Sequence, residues 1–113
     1  MSQDPASFAE PFVRIDADEA RRKIKAGELS IVDVREADEF AQGHIPGAIL
    51  VPLQRLLAAP RQYLKRDDVL FVCASGIRSA VAGEMAAAIG LTRIYNLEGG
   101  THEWVRRGYP IEG

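Results

Sequence analysis

Short runs of β-branched and apolar residues alternate along this chain with segments that carry helix start and stop signals, and that alternation limits the folds open to it. The runs are Val13 to Ile15, Leu29 to Val34, Ala48 to Val51, Val69 to Val72 and Arg93 to Leu97. Each is too short for a stable helix and reads as a strand. Between the first two, Asp16 offers an N-cap, Glu19 completes a capping box and Gly27 supplies a stop. A second helix is expected to start near Glu36, and Leu53 to Leu64 reads as short helices broken at Pro60. An alanine-rich helix follows over Ser79 to Ile89, and a final short one runs through Trp104 toward Gly108 and Pro110. Strands that alternate with helices in this way build a parallel α/β sheet with helices on both faces, and ligands then bind at the carboxyl ends of the strands.

At 113 residues the chain fits one domain, expected over residues 12–113. The amino end, Met1 to Pro11, lacks the basic start and apolar core of a secretory signal and reads as a flexible tail. No apolar stretch is long enough to span a membrane. The formal charge is −2, with Lys and Arg scattered along the chain, so a nucleic-acid partner is not expected. One cysteine cannot form an internal disulfide; a reducing, cytoplasmic setting is expected. No apolar seam calls for a dimer, and a monomer is the expectation.

That single cysteine, Cys73, ends the apolar run Val69 to Val72 and opens Cys73-Ala-Ser-Gly-Ile-Arg78 ahead of a helical pattern. A buried structural thiol is the plain alternative. The context favours a nucleophile: glycine permits a tight turn, Arg78 adds a fixed positive charge, and loop N–H groups can stabilise a thiolate. The candidate site is therefore Cys73 with Ala74, Ser75, Gly76, Ile77, Arg78 and Ser79 around the bound sulfur or donor. Arg78 suits an anionic donor or a lowered thiolate pKa, or pairs with a carboxylate to brace the loop; the roles are compatible. Asp33, at the end of the neighbouring strand, orients the loop or Arg78, or caps a helix, with bracing preferred. Ser75 and Ser79 are hydroxyl donors or helix caps. Arg35 and Glu39, four apart, suggest a structural ion pair. Trp104 reads as a core anchor, and Gly83, inside a helix, implies close packing against an unidentified neighbour.

From Val13 to Ile111 the chain resembles the single-domain rhodanese family. The match rests on Asp33-Val-Arg-Glu-Ala-Asp-Glu-Phe40, Gly43-His-Ile-Pro-Gly-Ala48, Cys73-Ala-Ser-Gly-Ile-Arg78 and Asn96-Leu-Glu-Gly-Gly100 with Trp104, in order and in spacing. The resemblance implies a five-stranded parallel sheet flanked by helices and a sulfurtransferase that works through a cysteine persulfide. The Cys73 thiolate would take the outer sulfur of a small anionic donor such as thiosulfate and pass it to cyanide, a thiol or a protein acceptor. The resemblance also makes His44 structural rather than a partner of Cys73. His102 falls near the rim of the site as a solvated helix-start residue. No metal site and no cofactor are expected, because two distant histidines and one cysteine make no ligand set and Gly99-Gly100 is no nucleotide fingerprint.

Two local features refine the reading. Phosphatases and arsenate reductases of this fold use Cys-x5-Arg, whereas here four residues separate Cys73 from Arg78, a tighter loop suited to one sulfur atom. Many thiosulfate-using family members carry a basic residue directly after the cysteine, and here that residue is Ala74. A sulfur carrier or a regulatory rhodanese-like binding module with little turnover on thiosulfate is therefore the alternative reading.

Overall fold

The computed structural model describes residues 9–113. Five strands, β1 (Val13–Ile15), β2 (Ser30–Asp33), β3 (Ile49–Leu50), β4 (Val69–Val72) and β5 (Ile94–Leu97), form one parallel sheet in the order β1-β5-β4-β2-β3. The helices are α1 (Ala17–Lys25), α2 (Ala37–Gln42), α3 (Leu53–Ala58), α4 (Pro60–Tyr63), α5 (Ile77–Ala88) and α6 (Gly100–Arg106). The expected architecture is present, with β4 at the centre. The expected tail falls mainly on residues 1–8, outside the described ones; of the remainder, Glu10 chelates the Arg14 guanidinium. No helix among the described residues is long and apolar enough to cross a membrane.

Strand parity decides which layer each side chain joins. Val69, Phe71 and Cys73 point to one face of β4, where they pack with Leu56 of α3 and Ala82 and Ala86 of α5. Leu70 and Val72 point to the other, against Ala17 and Ala20 of α1 and Trp104 of α6. The Trp104 indole N–H donates to the Pro110 carbonyl at 2.8 Å, which anchors the last helix as its sequence position suggested. Cys73 therefore lies beneath the start of α5, in the layer that α5 covers. Gly83 rests on the Phe12 ring: a β-carbon there would stand 2.7 Å from Cδ2, which identifies the close packing expected at this position.

Boundaries shift from expectation, most notably in β3, β5 and α5. β3 shrinks to Ile49–Leu50, β5 begins at Ile94, and α5 begins at Ile77 instead of near Ser79. The last shift has a physical cause. Gly76 adopts φ +105°, a left-handed conformation that glycine accepts without a steric penalty, and takes the N-cap position. The Ser79 hydroxyl is engaged inside the protein and caps nothing, so Arg78 and Ser79 belong to the first turn of α5.

Candidate active site

The carboxyl ends of β4 and β2 and the amino ends of α2, α5 and α6 meet around Cys73. The residue is 1% exposed, and its Sγ accepts the Gly76 N–H at 3.0 Å and lies 3.4 Å from Ser79 Oγ. The loop is docked on α6 through two of its carbonyls: Thr101 N–H donates to the Cys73 carbonyl at 2.9 Å and His102 N–H to the Ala74 carbonyl at 3.1 Å. This docking needs Gly100. A β-carbon at that position would stand on the Cys73 carbonyl and the Ala74 backbone, and its φ of +58° also favours glycine.

Beneath the loop sits Asn96, fully buried in β5, a residue that the sequence motifs contain but do not single out. Its Nδ2 donates to the Gly76 carbonyl at 3.1 Å and its Oδ1 accepts from Ser79 Oγ. The signal that could have found it is a polar residue inside the buried run Ile94-Tyr-Asn-Leu97, since buried polar groups require partners. Ser79 has a single hydroxyl hydrogen, so it serves Asn96 or the sulfur, not both at once.

Burial pushes the Cys73 thiol up, but hydrogen bonding from the Ser79 hydroxyl and from the backbone of Ser79, Gly76 and Ser75 outweighs it, and the net shift is downward. The thiolate then forms at lower pH than in a free cysteine, near 8.5. The rate of alkylation by iodoacetamide, followed against pH, is expected to titrate with a midpoint below that of a free cysteine measured alongside, and Ser79→Ala is expected to move that midpoint up. A midpoint at or above the free-cysteine value would contradict this arrangement.

The charged residues pair differently from expectation. Arg35 joins Asp33, not Glu39: its Nε and Nη2 reach the Asp33 carboxylate at 2.9 to 3.1 Å, and its Nη2 also donates to the Gly43 carbonyl at 2.8 Å. Asp33 Oδ1 also accepts the Arg35 N–H, so the aspartate closes a local turn after β2 and caps no helix. It braces Arg35 instead of Arg78 or the loop. Glu39 is thereby left to Arg78, whose Nη1 and Nη2 meet Oε1 and Oε2 at 2.8 and 2.9 Å. Glu39 also accepts the Glu36 N–H at 2.9 Å, half of a capping box on α2. Arg78 and that amide hold the Glu39 carboxyl at about 2, well below the usual carboxylate range.

Of the remaining predicted residues, Ser75 is exposed and Ile77, at 74% exposure, projects from the loop's end. The Ala74 side chain lines a cleft of about 500 Å³ together with Glu39, Gln42, His102, Val105 and Ile111. His102 is exposed at this rim. His44 lies elsewhere: it stacks on Phe40 with ring centroids 3.6 Å apart, its Nδ1 meets the Phe40 carbonyl at 2.8 Å, and its backbone bridges to Glu112.

Cys73 stands at the end of β4 with the Gly76 amide at its sulfur, and comparison with known proteins decides the family. The rhodanese-like domain model matches residues 16–107. The chain belongs to the rhodanese-like domain family. It is similar to Thiosulfate sulfurtransferase 18 of Arabidopsis thaliana, with 32% identity over 98% of this chain and 93% of that protein. It is also similar to a protein named Sulfurtransferase from Allochromatium vinosum, with 35% identity over 81% of this chain and 86% of the other. Among solved structures, a rhodanese-related protein from Thermoplasma volcanium superposes with a TM-score of 0.79 at 33% identity, covering 89% of this chain and 98% of that one. The rhodanese-like fold expected from the motifs is thus present, five parallel strands with helices on both sides.

Proposed function

We propose that this rhodanese-like domain is a sulfurtransferase in which Cys73 carries the sulfur as a persulfide. The observation that carries the proposal is Cys73 Sγ at the end of β4, held by the Gly76 amide and beside the Ser79 hydroxyl with its pKa lowered. The relatives named as sulfurtransferases support the same chemistry. In the loading step the thiolate attacks the outer sulfur of a donor such as thiosulfate. A new S–S bond forms at Cys73, the donor's S–S bond breaks, and its electron pair leaves with sulfite. The persulfide's terminal sulfur, still anionic, then faces the loop amides. An acceptor of the thiol, cyanide or protein class removes it by a second displacement, because the chain has no other cysteine to resolve it. The result is ping-pong turnover by a cytoplasmic, monomeric protein without a cofactor.

A second reading, a sulfur carrier with weak turnover on thiosulfate, is favoured by one observation: Arg78, the only cation in the loop, is already engaged by Glu39, and Ala74 adds none. The intact mass of the protein before and after incubation with thiosulfate tests the proposal. A gain of about 32 Da, reversed by cyanide with formation of thiocyanate, is the expected result. If neither thiosulfate nor an organic thiosulfonate adds sulfur, the sulfurtransferase proposal fails.

A further inference from the structure

Thiosulfate is a dianion, and the group that must attack it is an anion, so loading from it depends on positive charge near the sulfur. Among the described residues the site holds two arginines, and both are matched by carboxylates. Arg35 is buried against Asp33, and Arg78 presents both terminal nitrogens to Glu39. The Glu39 carboxylate is fixed independently of Arg78, because the Glu36 amide holds it in the capping box of α2. It also lines the cleft beside Ala74, together with Arg35. The neighbouring Glu36 and Asp38 are exposed and add further negative charge.

We propose that Glu39 is a specificity-determining residue for sulfur loading: by occupying Arg78 it disfavours the dianionic donor and turns the site toward donors of lower charge. This rests on the sulfur-transfer reading and names the donor class of that same site. Glu39 touches Arg78 and not the reacting sulfur, so it acts on which donor is accepted and leaves the displacement itself to Cys73. Because Arg78 and Glu39 are each about one-third exposed in their side chains, the effect of the pair is moderated by solvent.

The test compares thiosulfate, which carries two negative charges, with methanethiosulfonate, which carries one and delivers its outer sulfur with methanesulfinate as the leaving group. With cyanide as acceptor, kcat/KM is measured for both donors. Glu39→Gln keeps an acceptor for the Glu36 amide and removes the charge. It is expected to raise the thiosulfate-to-methanethiosulfonate ratio about fivefold, chiefly through a lower KM for thiosulfate. Asp38→Asn removes the same charge from the next residue without touching Arg78, and is expected to move the ratio less than about twofold. The pair of changes Glu39→Gln and Arg78→Gln together removes both charges, and is expected to leave the ratio within about twofold of the wild type. An unchanged or lowered ratio in a folded Glu39→Gln variant would overturn the assignment of Glu39. So would a drop of more than about fivefold in the double variant, since Arg78 would then be serving thiosulfate directly. The double variant decides the matter if the single one does not fold. A wild type that gains sulfur from neither donor in the mass measurement instead overturns the sulfur-transfer reading, and this inference with it.

Discussion

Cys73→Ser is expected to fold as the wild type does and to lose sulfur transfer by at least about a thousandfold. The substitution replaces Sγ with a smaller hydroxyl in a position that already supplies hydrogen-bond partners. The Gly76 N–H can donate to the new oxygen, and Ser79 Oγ stands beside it. The stability change is therefore expected to stay within about 1 kcal/mol. Chemistry suffers far more, because a serine hydroxyl stays protonated where the cysteine is a thiolate, and oxygen cannot form the persulfide. No other cysteine can substitute. Steady-state transfer from thiosulfate to cyanide, with the mass gain followed in parallel, checks this. Residual turnover above about 1% of wild type, or a gain of sulfur on the variant, would remove Cys73 from the mechanism.

The sequence revealed this site unevenly, for reasons that lie in the range of each interaction. Parity along Val69-Leu-Phe-Val-Cys73 is local, so the placement of the sulfur at the end of a buried strand is legible in the residues themselves. The pairing of Arg35 is not. Spacing suggested Glu39 on a helix face, yet Arg35 precedes α2 and folds back on Asp33 in the turn after β2. That choice frees Glu39 for Arg78, thirty-nine residues away, a contact set by where the fold places α2 and the first turn of α5. Ser79 shows the same competition between local and tertiary demands. A serine at a helix start is normally a cap, but here its hydroxyl turns to Cys73 and Asn96, and Gly76 takes the cap through its backbone conformation. Phe12 against Gly83 is a third case: the glycine announced a close neighbour, but the neighbour lies before the first strand and is identified only by where β1 sits in the sheet.

Asp33→Ala is expected to cost about 3–5 kcal/mol of stability. Asp33 is fully buried and the Arg35 side chain is 7% exposed, so truncation of the carboxylate leaves a guanidinium without its counter-charge where water cannot reach it well. The Gly43 carbonyl, at 2.8 Å from Nη2, accepts one hydrogen bond but carries no charge to offset the cation. The Arg35 amide also loses its Oδ1 partner. The damage comes from the stranded charge more than from the lost contact. Adding Arg35→Met to Asp33→Ala removes that charge while it retains an unbranched apolar stem, and is expected to recover about half of the loss. Urea denaturation followed by circular dichroism measures both variants, with a lower midpoint and an unchanged slope marking a change in stability alone. A single variant within about 1 kcal/mol of wild type, or a double variant less stable than the single one, would show that the Arg35 guanidinium tolerates isolation and that Asp33 serves the turn after β2 rather than the charge.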